Sequence, residues 1–174
     1  GMLSQAVAAA PDARARAAAL ALTVRAAGQT GDGDLFSWAT AAYRGLMSEH
    51  EPDGALFHPF AWREIQMRGL LSLGNHAGAV RHAEDIPAAP APSPQWAVIE
   101  RITTADALMT AGDDGPAEEL LRIAVDDARG HYLPHQIQRV IRIARRAGLH
   151  DLLRHARDAI APACSAAGDS PTAV

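Results

Sequence analysis

Residues 111–128 read AGDDGPAEELLRIAVDDA. The first six make a turn: glycine supplies the left-handed backbone that closes one helix, and aspartate can cap the next. After the turn, Ala117, Leu120, Leu121, Ala124, Val125 and Ala128 fall at i, i+3, i+4, i+7, i+8 and i+11. That spacing draws one continuous apolar face along a helix of about 3.6 residues per turn.

The pattern recurs on both sides. Leu35, Trp38, Ala39, Ala42, Tyr43 and Leu46 match all six positions, which places Trp38 in the core. Leu149, Leu152, Leu153, Ala156 and Ile160 match as well, with Arg157 as the exception. Ala79, Val80 and Ala83 mark a shorter helix that Pro87 must end. Each of these helices follows a turn bearing Gly31, Gly74, Gly112 or Gly148, and each turn follows a helical stretch, at roughly 12–27, 59–73, 95–111 and 134–147. The chain therefore reads as four helix–turn–helix units, the sequence form of a solenoid. Glu51-Pro52-Asp53-Gly54, the proline-rich stretch from Pro87 to Pro94, and Gly130 with Pro134 separate the units.

Composition agrees with helices. Of 174 residues, 48% are hydrophobic but only 5% aromatic, and the filler is Ala and Leu, which lose little on entering a helix. Gly1, ahead of Met2, is read as a tag remnant and set aside. Residues 2–162 are expected to form one domain and 163–174, small and polar, a disordered tail. All the basic residues other than histidine are Arg, and the formal net charge of −4 implies no general pull toward nucleic acid or membrane. The one cysteine, Cys164, excludes an internal disulfide and a cysteine-rich zinc site. No apolar run reaches the roughly 18 residues of a membrane span, so a cytoplasmic protein is expected.

The units resemble tetratricopeptide repeats. Ala117, Leu121 and Ala124 fit the small–large–small pattern of that repeat's second helix, and Ala39 with Tyr43 fits its first half. Trp62-x-x-Ile65 and Trp96-x-x-Ile99 look like the start of its first helix and lie 34 residues apart, the family's repeat length. The glycine expected next is Gln66 in one unit and Glu100 in the other. The resemblance implies an all-α fold, a right-handed superhelix of about four hairpins with a concave groove. It also implies binding of a protein or peptide, with no catalytic activity and no cofactor. The groove would be lined by first-helix residues: Trp62, Arg63, Glu64, Arg68, Trp96 and Arg101. The chain is also similar to arrays that serve as sensor or dimerisation modules in transcription regulators of high-GC bacteria. An effector-sensing domain is thus the alternative function, and a second copy of the chain is a candidate partner.

Residues that carry chemistry point elsewhere only weakly. His131 and His135 straddle Pro134, and His150 and His155 sit about 140° apart on a helix, too wide for one metal site. Glu118-Glu119 and Asp126-Asp127 are sequential, so each pair diverges. No phosphate loop or nucleophile–base pattern stands out, which leaves an enzyme as the least favoured reading. The main asymmetry is charge. Eight acidic residues and two Arg lie between Glu100 and Asp127, and seven Arg and one acid between Arg129 and Arg157. On the helix 134–147, Arg139, Arg142, Arg145 and Arg146 are expected opposite the apolar arc of Ile137, Val140, Ile141 and Ala144. That face suits an anionic partner through the planar guanidinium fork, although a solvated surface is favoured over nucleic-acid binding.

Overall fold

The computed structural model describes residues 2–85, 87 and 89–161. Helix makes up 79% of the structure and no strand occurs among the described residues. The elements are α1 (Met2–Ala8), α2 (Ala13–Thr30), α3 (Gly33–Glu49), α4 (Pro59–Ser72), α5 (His76–Glu84), α6 (Pro94–Ala111), α7 (Asp114–Gly130), α8 (Pro134–Ala147) and α9 (His150–Ile160). Eight of them are the helices expected from the pattern; α1 is an addition. The expected tail, 163–174, lies outside the described residues.

Local chemistry sets the boundaries. Asp12, Asp32 and Asn75 each accept a backbone N–H three residues on, at 2.7, 2.9 and 3.0 Å, which satisfies donors a helix start leaves free. Pro59, Pro94 and Pro134 occupy first turns, where a missing N–H costs nothing. The four turn glycines, Gly31, Gly74, Gly112 and Gly148, have φ of 75°, 75°, 87° and 72°, the left-handed conformation expected of them.

Hairpins form as α2 with α3, α4 with α5, α6 with α7, and α8 with α9. The first helices of the hairpins also pack in succession, α2 on α4, α4 on α6 and α6 on α8. Two cores result. One, within α1 to α4 and the segment before α4, holds Leu20, Val24, Phe36, Tyr43, Phe57 and Ile65, with Trp62 stacked on Tyr43 at a 3.8 Å centroid separation. The other, within α6 to α9, holds Val98, Ile102, Leu121, Val125, Val140 and Leu152. Between them lies a small cluster of Met67, Ala79 and Ala107.

Two expectations about burial are corrected. Trp38 is 44% exposed; α3 instead buries Phe36, Ala39, Thr40, Tyr43 and Leu46. The cause is on α4, where Gly69 has no side chain. A Cβ there would lie 2.4 Å from Phe36 Cε2, so the ring occupies space that glycine leaves, and α3 is turned to insert it. Arg139, expected on the exposed arc of α8, is only 8% exposed. Helix α8 packs on α6 as well as on α7 and α9, which widens its buried arc to include Arg139.

Candidate anion-binding cleft

Six residues before each turn glycine stands Arg25 on α2, Arg68 on α4, Asp106 on α6 and Arg142 on α8. Four residues later, one helical turn on, come Gln29, Ser72, Thr110 and Arg146. All eight line clefts along the succession of first helices. One cleft, of about 430 Å³, is bounded by Arg68, His76, Asp106, Arg139, Arg142 and Arg146. A second, of about 390 Å³, has Arg25, His135 and Gln136 in its wall and shares Arg68, Arg139 and Arg142 with the first. The shared residues make the two continuous.

A buried polar network forms the floor. Glu64, on α4, is 1% exposed. Its Oε1 accepts the Thr103 hydroxyl of α6 at 2.7 Å, and Arg139 Nη2 of α8 donates to the same hydroxyl at 2.6 Å. Arg68 Nη1 and Arg139 Nη1 each lie 3.9 Å from Glu64 Oε1. Three helices are thus tied through one carboxylate, one hydroxyl and one guanidinium. Burial, with the charge of Arg68 behind it, pulls the Arg139 guanidinium down to about 10, against the opposing pull of Glu64 and Asp106. Arg139 therefore remains a cation at neutral pH.

The balance of charge leaves the cleft positive. Arg146 pairs with Asp106, and Arg68 and Arg139 share Glu64, while Arg25 and Arg142 have no ion pair among the described residues. Guanidinium groups in this number recognise carboxylate or phosphate oxygens through paired N–H donors. Gln136 adds a different signal. It lines the cleft, and its buried Oε1 has no hydrogen-bond partner among the described residues.

The residues proposed from sequence divide. Glu64, Arg68, Arg139, Arg142 and Arg146 come together here, although the sequence placed them in two separate groups. Arg145 is exposed and lines neither cleft. Trp62 is core, and the half-buried Trp96 packs against the same core. Arg63 pairs with Glu100 and donates to the carbonyls of Ala83 and Asp85 at 3.1 and 2.8 Å, tying the end of α5 to α4 and α6. Arg101 pairs with Asp127 across the α6–α7 hairpin. Sequence reasoning missed Arg25, Asp106, His76, His135 and Gln136. For Arg25 and Asp106 the signal was present, as the same offset from a turn glycine that Arg68 and Arg142 have.

No family model, no curated protein and no solved structure matches the chain. Among the described residues, no three His, Cys, Asp or Glu side chains gather as metal ligands, and no helix is long and apolar enough to cross a membrane.

Proposed function

We propose that this chain is a non-catalytic helical-repeat binding module, a right-handed superhelix akin to tetratricopeptide arrays, whose groove takes an acidic segment of a partner protein. The repeated offset of Arg25, Arg68, Asp106 and Arg142 from the turn glycines carries this reading, because equivalent positions on successive first helices face one continuous cleft. The five arginines of that cleft stand out in a chain whose formal net charge is −4, so the attraction is local to the groove.

The test is fluorescence anisotropy with a labelled Glu/Asp-rich peptide, beside a scrambled neutral peptide and a single-stranded DNA of equal length. The acidic peptide should bind, with affinity falling as salt rises. Arg142→Glu should weaken it about tenfold or more without moving the thermal midpoint, because Arg142 is exposed and has no ion pair among the described residues. Arg145→Glu, outside the cleft, should bind as wild type. Tighter binding of the DNA than of the acidic peptide would replace the peptide reading with a nucleic-acid one. The alternative of an effector-sensing module draws on a separate cleft between α3, α4 and α5.

A further inference from the structure

The packing of hairpins is uneven. Helices α7 and α9 pack closely on each other, whereas α3 packs on α2 and, through Phe36 and Tyr43, on α4, and makes no comparable packing against α5 among the described residues. Helix α5 is also the shortest of the hairpin helices, at 9 residues. A cleft of about 430 Å³ opens between α3, α4 and α5. It is separate from the arginine cleft: Gln66 and Leu70 of α4 line this one, while Arg68 and Ser72 line the other.

Its floor is polar, and one group on it is unsatisfied. Thr40 is 8% exposed, and its Oγ1 is buried with no hydrogen-bond partner among the described residues. A hydroxyl in that state loses its water without compensation, which native interiors avoid unless something else supplies the bond. Gln66, 6% exposed, lines the same floor. Phe36 and Leu70 form the apolar wall. At the rim stand two cations, Arg44 and Arg81, and two carboxylates, Glu84 and Asp85. Burial holds the His82 imidazole below its ordinary value, so it adds no charge at neutral pH.

We infer that this cleft binds a small zwitterion of the α-amino-acid type, its carboxylate toward Arg44 and Arg81, its ammonium toward Glu84 and Asp85, and a hydrogen-bonding side chain toward Thr40 and Gln66. A rim that carries both signs in equal number selects against a simple anion or a simple cation, each of which would meet repulsion from half of it. The buried Thr40 hydroxyl selects for a polar side chain, because an apolar one would leave it unpaired. The size lies within the range of small-molecule sites. This inference stands apart from the peptide groove, since no residue of one cleft lines the other.

The experiment is isothermal titration of the full chain with L-glutamine and then the other free proteinogenic amino acids, with succinate and putrescine as anion-only and cation-only probes. At least one polar amino acid should bind saturably and raise the thermal midpoint, and neither single-charge probe should match it. Thr40→Val keeps the side-chain shape and removes the orphaned hydroxyl, so the unliganded fold should be at least as stable while ligand affinity falls about tenfold or more. Arg81→Ala, at the exposed rim, should weaken binding without unfolding. Absence of binding by every amino acid would overturn the proposal, as would equal binding of succinate, or affinity unchanged in both variants.

Discussion

Arg139 Nη1 lies 3.9 Å from Glu64 Oε1, with the Thr103 hydroxyl bonded to both side chains. The contact joins α8 to α4 through α6 and is nearly closed to solvent. Removing Glu64 strands Arg139 in the interior, whereas removing Arg139 leaves Glu64 beside Arg68. Glu64→Leu should therefore cost about 3–5 kcal/mol, and Arg139→Leu less. The double variant should recover part of the Glu64→Leu loss, since the one charge left, on Arg68, reaches solvent. A urea-unfolding double-mutant cycle reads the coupling, and strict additivity would show that the pair does not act as a unit.

Tyr43 predicts a pH effect. Its hydroxyl donates to the Leu56 carbonyl at 2.6 Å, and burial drives its ionisation well above the ordinary tyrosine value. The native state thus holds this proton in a range where the unfolded chain, titrating near about 10, has lost it. Stability from the neutral phenol is complete below that value and declines as pH rises past it. Tyr43→Phe should be less stable at pH 7 by about 1 kcal/mol, the net worth of a hydrogen bond. Above about pH 10 the gap should narrow, because the variant lacks the alkaline loss. Denaturation at both pH values checks it; a constant gap would count against the ionisation argument.

Gly69→Ala should destabilise through overpacking. The new Cβ would stand 2.4 Å from Phe36 Cε2, so the ring or the helix must move, at about 1–3 kcal/mol. Phe36→Leu should make the Gly69→Ala step cheaper, and thermal melts of the four-member cycle measure this.

Leu121→Asp should unfold the chain or lower its stability by at least about 3 kcal/mol. Leu121 is fully buried in the core that α6, α7, α8 and α9 share. A far-ultraviolet circular dichroism melt that overlays wild type would refute the packing of α7.

What the sequence determined by itself was local. The apolar face of α7 came out as expected because Ala117, Leu121, Ala124, Val125 and Ala128 all face neighbouring helices, and one strong stripe leaves little choice of rotation. The turn glycines were equally legible, since a left-handed residue at a helix end depends on a few adjacent bonds. Tertiary structure decided everything that required a second helix. Whether Phe36 or Trp38 faces inward depended on the missing side chain of Gly69, some thirty residues away. Arg139 looks like a surface residue on the wheel of α8, yet Glu64 and Thr103 on two other helices bury and satisfy it. The arginine cleft likewise exists only because stacked first helices bring Arg25, Arg68 and Arg142 to one side. An amphipathic wheel describes one helix against an unspecified neighbour. A helix packed on three others has polar residues in its buried arc whose partners lie far off in the chain, and only the assembled packing names them.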